Sequence, residues 1–129
     1  MPAPFLAIVN PSSGSGRASR RWPALAVGLR RALAPRGELD VAFTEAPRHA
    51  TQLAREAIER GVRTVISAGG DGTLSEVVAG VLESGAAAQT DLGLIPLGSG
   101  GDFPRTLGLS SDARAAIDVI EDGYVQNID

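Results

Sequence analysis

The chain has no cysteine, and all 12 of its basic residues are arginine, so lysine is missing as well. Without cysteine there is no disulfide, no thiolate nucleophile and no zinc–thiolate site. Without lysine there is no Schiff-base chemistry and no Walker A loop, which requires Gly-Lys before its hydroxyl residue. Aromatic residues make up only 4% of the sequence, and there is a single histidine, His49, too few for a histidine metal cluster. No apolar run approaches the roughly twenty residues that span a bilayer, and no basic stretch leads into a long apolar one as in a secretory signal. The expected compartment is therefore the cytoplasm. A formal net charge of −3 gives no whole-chain attraction for nucleic acid, and none is expected as a partner. Arg17, Arg20 and Arg21 form a local basic cluster within that acidic background, on what reads as an ordinary solvated helix surface.

What is present is glycine in two clusters and an alternation of short apolar runs with helical periods. At 129 residues the chain is about one domain, enough to bury roughly two-thirds of its unfolded surface. Phe5 to Val9 reads as a first strand, followed by Asn10, Pro11 and the loop SSGSG. Trp22, Leu25, Leu29 and Leu33 recur at helical spacing, with a start near Ser15 to Ala18. Pro23 conflicts with that start and argues for one nearer Arg20, while Pro35 and Gly37 mark the stop. Leu39, Val41 and Phe43 alternate as a second strand. A second helix over Pro47 to Arg60 presents Leu53, Ala54, Ala57 and Ile58, and Gly61 ends it. Val62 to Ile66 supplies a third strand, and Leu74, Val77, Val78, Val81 and Leu82 mark a third helix. Leu92, Leu94 and Ile95 make a fourth strand closed by Pro96. The pattern predicts an α/β, Rossmann-like three-layer domain with a mainly parallel sheet, helices on both faces and ligand loops at the carboxyl ends of the strands. Further helices are expected around Phe103 to Leu107 and over Asp112 to Ile120, and another strand from Tyr124.

The segment SAGGDGT, residues 67–73, falls where the third strand should turn into its helix. Glycine accepts positive φ and has no Cβ, so Gly69, Gly70 and Gly72 can bring amides close to phosphate oxygens at the positive end of the helix. Asp71 is electrostatically wrong as a direct phosphate ligand. It suits a magnesium partner, often through water, or a carboxylate that orients or deprotonates a hydroxyl; a turn or capping role is the structural alternative. Thr73 and Glu76 have the spacing of a capping box, Thr73 as the cap, and both also stand near the phosphate site. Asn10 and Thr44 end strands at the same sheet edge and can contact a ligand there. His49 reads as a surface or helix histidine before it reads as a base. Gly98, Ser99, Gly100 and Gly101 form a second permissive loop, in which Ser99 can bond a phosphate; Asp102 can cap the helix after it, and Arg105 can neutralise phosphate or form a surface pair. GSGRAS, residues 14–19, lacks the third glycine of a dinucleotide fingerprint, and Leu97 stands where a hydrolase nucleophile elbow needs glycine.

Asn-Pro at 10–11, GGDGT at 69–73, Glu76 and PLGSGGDFPRTLG at 96–108 together resemble the catalytic domain of the diacylglycerol kinase and sphingosine kinase superfamily, especially bacterial lipid kinases, over nearly the whole chain. The resemblance implies a nucleotide-binding domain that transfers the γ-phosphoryl group of ATP to a lipid hydroxyl with Mg2+. It places Asn10, Thr44, Gly98 and Ser99 at nucleotide-contact positions, and Gly70, Asp71, Gly72 and Thr73 in the phosphate loop. Asp71 falls at the carboxylate tied to magnesium or substrate activation, with Glu76 supporting it. One departure is Gly101, where the family commonly carries asparagine. The resemblance further implies a boundary near residue 123, with 124–129 opening a β-rich second domain that binds lipid, and peripheral membrane association. Related GGDGT loops occur in NAD kinases, which gives an NAD kinase as the enzymatic alternative. A noncatalytic nucleotide-binding module is the other.

Overall fold

The computed structural model describes residues 3–97. Four strands, β1 (Phe5–Val9), β2 (Leu39–Phe43), β3 (Thr64–Gly69) and β4 (Asp91–Pro96), alternate with helices α1 (Arg17–Leu33), α2 (His49–Glu59) and α3 (Asp71–Glu83). A short 3₁₀ turn, Ala87–Gln89, precedes β4. The strands form one sheet in the order β2-β1-β3-β4, and every pair is parallel. Ala7 at the centre of β1 stands between Val41 and Ile66.

Side chains alternate across a strand, so the all-apolar β1 feeds two cores at once. Phe5, Ala7 and Val9 join Ile66, Ala68 and Ile95 under Ala18, Trp22, Leu25, Ala26, Leu29 and Leu33 of α1. Leu6 and Ile8 join Val65 on the opposite face, under Ala50, Ala54 and Ala57 of α2 and Val77 and Val81 of α3. Helices thus cover both faces of the sheet, and the α/β, Rossmann-like three-layer arrangement is the one the sequence predicts. Helix α1 lies on one face and α2 with α3 on the other. The chain accordingly leaves β1 and β3 towards opposite faces, which opens a crevice at their carboxyl ends.

Several local expectations change. Helix α1 begins at Arg17, within the expected Ser15 to Ala18 window and not nearer Arg20, after Gly16 in the left-handed region at φ 88°, and it keeps Pro23 inside it beyond the first turn. The packed Trp22 to Leu33 stripe holds the helix through the one hydrogen bond that proline cannot donate. Helix α2 is shorter than predicted, His49–Glu59, because Arg48 occupies a left-handed φ of 69° just before it; Gly61, at φ 104°, follows its end as expected. Strand β3 runs on through Ser67, Ala68 and Gly69, because each pairs with a residue of β4. Phe43 and Leu82, which carry the strand alternation and the helical period, are exposed at 49% and 51%. Phe43 ends β2 and Leu82 lies in the last turn of α3, where no layer among the described residues covers them. Helices α2 and α3 meet closely at Gly80, where a Cβ would collide with the Thr51 carbonyl oxygen and stand 2.8 Å from Ala54 Cβ. The second glycine loop, the two later helices and the strand from Tyr124 lie outside the described residues, as do Gly98, Ser99, Gly101, Asp102 and Arg105.

Candidate active site

The crevice is built by three strand ends. Asn10 follows β1, and its backbone N–H donates to the Ala68 carbonyl at 3.0 Å, extending the β1–β3 ladder by one step. Its Oδ1 accepts the Ser12 N–H at 3.0 Å, so the side chain turns the loop and its NH2 group is what it can offer a ligand. Thr44 follows β2 and is fixed in the same way, its N–H donating to the Val9 carbonyl at 2.9 Å. Gly69 ends β3, with its carbonyl accepting the Leu97 N–H at 2.8 Å.

Helix α3 starts at Asp71 with Gly70 as its N-cap, and no side chain bonds to its first amides. Thr73 is therefore the third residue of the helix rather than its cap, and the capping box with Glu76 does not form. The reason is that Gly70 already has extended backbone, at φ −98°, and the helix begins directly after it. The glycines also act differently from expectation. Neither Gly69, Gly70 nor Gly72 has positive φ. At Gly69 the missing Cβ makes room for packing, since one would lie 2.6 Å from Thr73 Oγ1 and 2.9 Å from Ser13 Oγ. At Gly72 a Cβ would meet nothing within 4 Å, so open space stands over that turn. The amides of Asp71, Gly72 and Thr73 precede the first intrahelical acceptors and face the positive end of the helix dipole. They form a donor set for an anion, with room above it.

Two loops from opposite sides of the sheet meet here. The Gly70 N–H donates to Ser13 Oγ at 3.3 Å, tying the loop after β1 to the turn after β3. Between the loops and the helices lies a cavity of about 380 Å3, within the range of small-molecule sites. It is lined by Asn10, Ser12, Thr44, Thr73 and Glu76, together with the segment from Glu45 to Pro47 and Ala50. Four sequence-predicted residues, Asn10, Thr44, Thr73 and Glu76, thus converge on one space. Gly70, Asp71 and Gly72 are outside its lining, at the start of α3. Glu76 is held through its backbone, whose carbonyl accepts the Thr51 hydroxyl at 2.7 Å. Among the described residues no group of three or more histidine, cysteine, aspartate or glutamate side chains could hold a metal ion by itself. His49 is committed locally: its Nδ1 accepts the Glu45 N–H at 3.0 Å and steadies the entry to α2.

Sequence reasoning passed over Ser13, Glu45 and Pro47. The serine carried a signal in the Asn-Pro-Ser-Ser run, because an asparagine-led turn folds the next residues back towards the neighbouring strand end. The Glu45–Pro47 wall carried none; it is placed by the entry to α2.

Comparison with known proteins agrees with this layout. The model of the diacylglycerol kinase catalytic domain matches residues 4–129. Similar curated proteins include a diacylglycerol kinase of Staphylococcus haemolyticus, 40% identical over 122 residues, and one of Staphylococcus epidermidis at 41%. These alignments cover 95% of this chain but only 36% and 37% of those proteins, so the chain spans a little over a third of their length. Among solved structures, a putative diacylglycerol kinase from Bacillus anthracis superposes with a TM-score of 0.77 at 28% identity, covering 96% of this chain and 43% of that one. A match from the first strand to the last residue, joined to a strand order and a crevice that put the motif residues around one space, establishes that the chain belongs to the diacylglycerol kinase catalytic domain family.

Proposed function

We propose that the chain is the nucleotide-binding part of an ATP-dependent lipid kinase, which transfers the γ-phosphoryl group to the hydroxyl of diacylglycerol or a related lipid. The observation that carries this reading is the uncapped start of α3 beneath open space at Gly72, with Thr73 and Glu76 of the same helix on the adjoining cavity. The amides of Asp71, Gly72 and Thr73 receive phosphate oxygens, while Asn10 and Thr44 contact the rest of the nucleotide from the strand ends. Gly98 and Ser99 supply a second contact. Asp71 suits Mg2+, which takes one or two carboxylates, often through water, and fills its remaining positions with phosphate oxygens. When bound, the ion neutralises charge that develops on the transferring group. Asp71 also orients the acceptor hydroxyl and takes its proton as the new P–O bond forms and the bond to the leaving ADP oxygen breaks. Glu76 holds the far wall of this site. Lipid binding and further catalytic carboxylates belong to the remainder of the full-length protein, and we assign residues 1–123 to the nucleotide domain and 124–129 to the start of the next. The chain alone then binds ATP and does not turn over lipid.

The test uses the full-length protein with radiolabelled ATP and Mg2+, offered diacylglycerol in mixed micelles, a sphingoid base, or NAD. Labelled lipid phosphate is expected, and Asp71→Asn should lower its rate by about 10²–10⁴-fold. Label on NAD alone would select an NAD kinase. ATP binding without transfer to any acceptor would select a noncatalytic module.

A further inference from the structure

His49, the single histidine of the sequence, is the first residue of α2 and is half-buried. In sequence it stands between Pro47 and Ala50, which line the cavity. Its Nδ1 accepts the Glu45 N–H at 3.0 Å. A backbone amide can only donate, so the nitrogen facing it carries a lone pair and the ring proton sits on Nε2. An imidazolium, with hydrogen on both nitrogens, would turn one N–H against another. The contact therefore exists only with the neutral ring.

That bond closes a short segment. Thr44 is pinned at one end, its N–H donating to the Val9 carbonyl at 2.9 Å, and at the other the His49 N–H donates to the Ala46 carbonyl at 3.2 Å. Glu45, Ala46 and Pro47 between them are exposed and belong to neither core, so packing lends them little support. Arg48 holds a left-handed φ of 69°, which is unfavourable without glycine, and the hydrogen bonds of the turn have to offset that cost. Yet Glu45, Ala46 and Pro47 form one wall of the cavity. The first turn of α2 also reaches the wall across from it, because the Thr51 hydroxyl donates to the Glu76 carbonyl at 2.7 Å. His49 and Thr51 thus fasten Glu45 and Glu76 to the same helical turn.

We infer that His49 is a positioning residue for the nucleotide: its neutral ring holds the Glu45–Pro47 wall in the shape that receives ATP, and protonation releases the wall and weakens binding. The inference rests on the reading of this cavity as the ATP site. Imidazole is the side chain whose charge changes between about pH 5 and 8, so nucleotide affinity acquires a pH dependence that no carboxylate supplies in that range. Only the fraction of molecules with the wall in place is competent to bind, and apparent affinity falls with that fraction. The charged groups around the ring are Arg48 beside it, Glu45 on its own segment and Glu76 of α3, which lines the same cavity. Arg55 and Glu83 pair with one another further along α2 and α3, and β1 carries no charge.

Isothermal titration of the full-length protein with Mg2+–ATP, from about pH 8 down to about pH 5.5, tests this with His49→Asn and His49→Gln beside the wild type. Asparagine carries its oxygen on Cγ, where histidine carries Nδ1, so it accepts the Glu45 amide and does not titrate; glutamine places its oxygen one atom further out. At the high pH His49→Asn should bind as the wild type does, and His49→Gln about 3–10-fold more weakly, the worth of one hydrogen bond. Dividing the wild-type Kd by that of His49→Asn at each pH cancels the protonation of ATP, Asp71, Glu45 and Glu76, which both proteins share. That ratio should rise from about 1 to about 3–10 as the pH falls. A long-range 1H–15N spectrum at the high pH, with His49 identified by the signals missing from either variant, should show the Nε2–H tautomer. A ratio that does not change with pH, equal binding by the two variants, or an Nδ1–H tautomer would overturn the inference while leaving the ATP site in place. No ATP binding by any of the three proteins, each shown to be folded by urea unfolding, would overturn the reading of the cavity and this inference with it.

Discussion

Replacing Gly72 with alanine should make the protein more stable and a worse ligand for ATP at the same time. Gly72 is the second residue of α3, with ordinary helical backbone and nothing within 4 Å of the position a Cβ would take. The protein thus meets no steric cost, and exchanging glycine for alanine in a helix is worth about 0.5–1 kcal/mol. That corresponds to a rise in melting temperature of about 2–5 °C for a domain of this size. In a helix, however, the Cα–Cβ bond tilts towards the amino terminus, so the new methyl group projects into the space above the free amides. Losing one charge-assisted hydrogen bond there costs about 1.5–3 kcal/mol, or roughly 10–150-fold in affinity. Differential scanning calorimetry without ligand and isothermal titration with Mg2+–ATP measure the two effects separately. Unchanged ATP affinity in a folded Gly72→Ala protein would refute the placement of phosphate over this turn. A fall in melting temperature would refute the claim that the space is empty for the protein's own purposes.

The same substitution eight residues along the helix should have the opposite sign. Gly80→Ala gains the same helix propensity, but its Cβ meets the Thr51 carbonyl oxygen and Ala54, so a net loss of about 1–3 kcal/mol is expected in urea unfolding. Ser67 is fully buried on β3, and its hydroxyl finds no hydrogen-bond partner among the described residues. Ser67→Ala removes that unmet demand and should raise stability by about 1 kcal/mol, visible as a higher urea midpoint with an unchanged slope.

Periodicity made the layers legible because α1 and the strands carry their apolar residues at spacings that only one packing satisfies. Trp22, Leu25, Leu29 and Leu33 all reach the core. Phe43 and Leu82 carry the same periodic signal and are exposed, since periodicity identifies a face but does not say whether another layer reaches that far. At the site, Asn10, Thr44, Thr73 and Glu76 could be named from their positions after strands and within one motif. The cause assigned to the glycines could not, because a glycine kept for empty space, one kept for close packing and one kept for positive φ look alike in a sequence. Gly72 and Gly69 turned out to be the first two kinds, and among the described residues the glycines at positive φ are Gly14, Gly16, Gly37, Gly61 and Gly85. The capping box failed for a related reason: Thr-x-x-Glu has the right spacing, but Gly70 is the N-cap and the helix begins at Asp71, two residues before Thr73.

The hydrogen bond from Gly70 to Ser13 joins residues 57 positions apart. Closing so long a loop carries an entropy cost that no local turn can offset, so this half of the site assembles only after β1 and β3 have paired. A peptide containing the glycine motif alone would lack it. Nucleotide that binds at this junction then binds the folded chain and not the unfolded one, and its concentration feeds directly into the folding equilibrium: saturation at about a hundred times Kd adds about 2.7 kcal/mol.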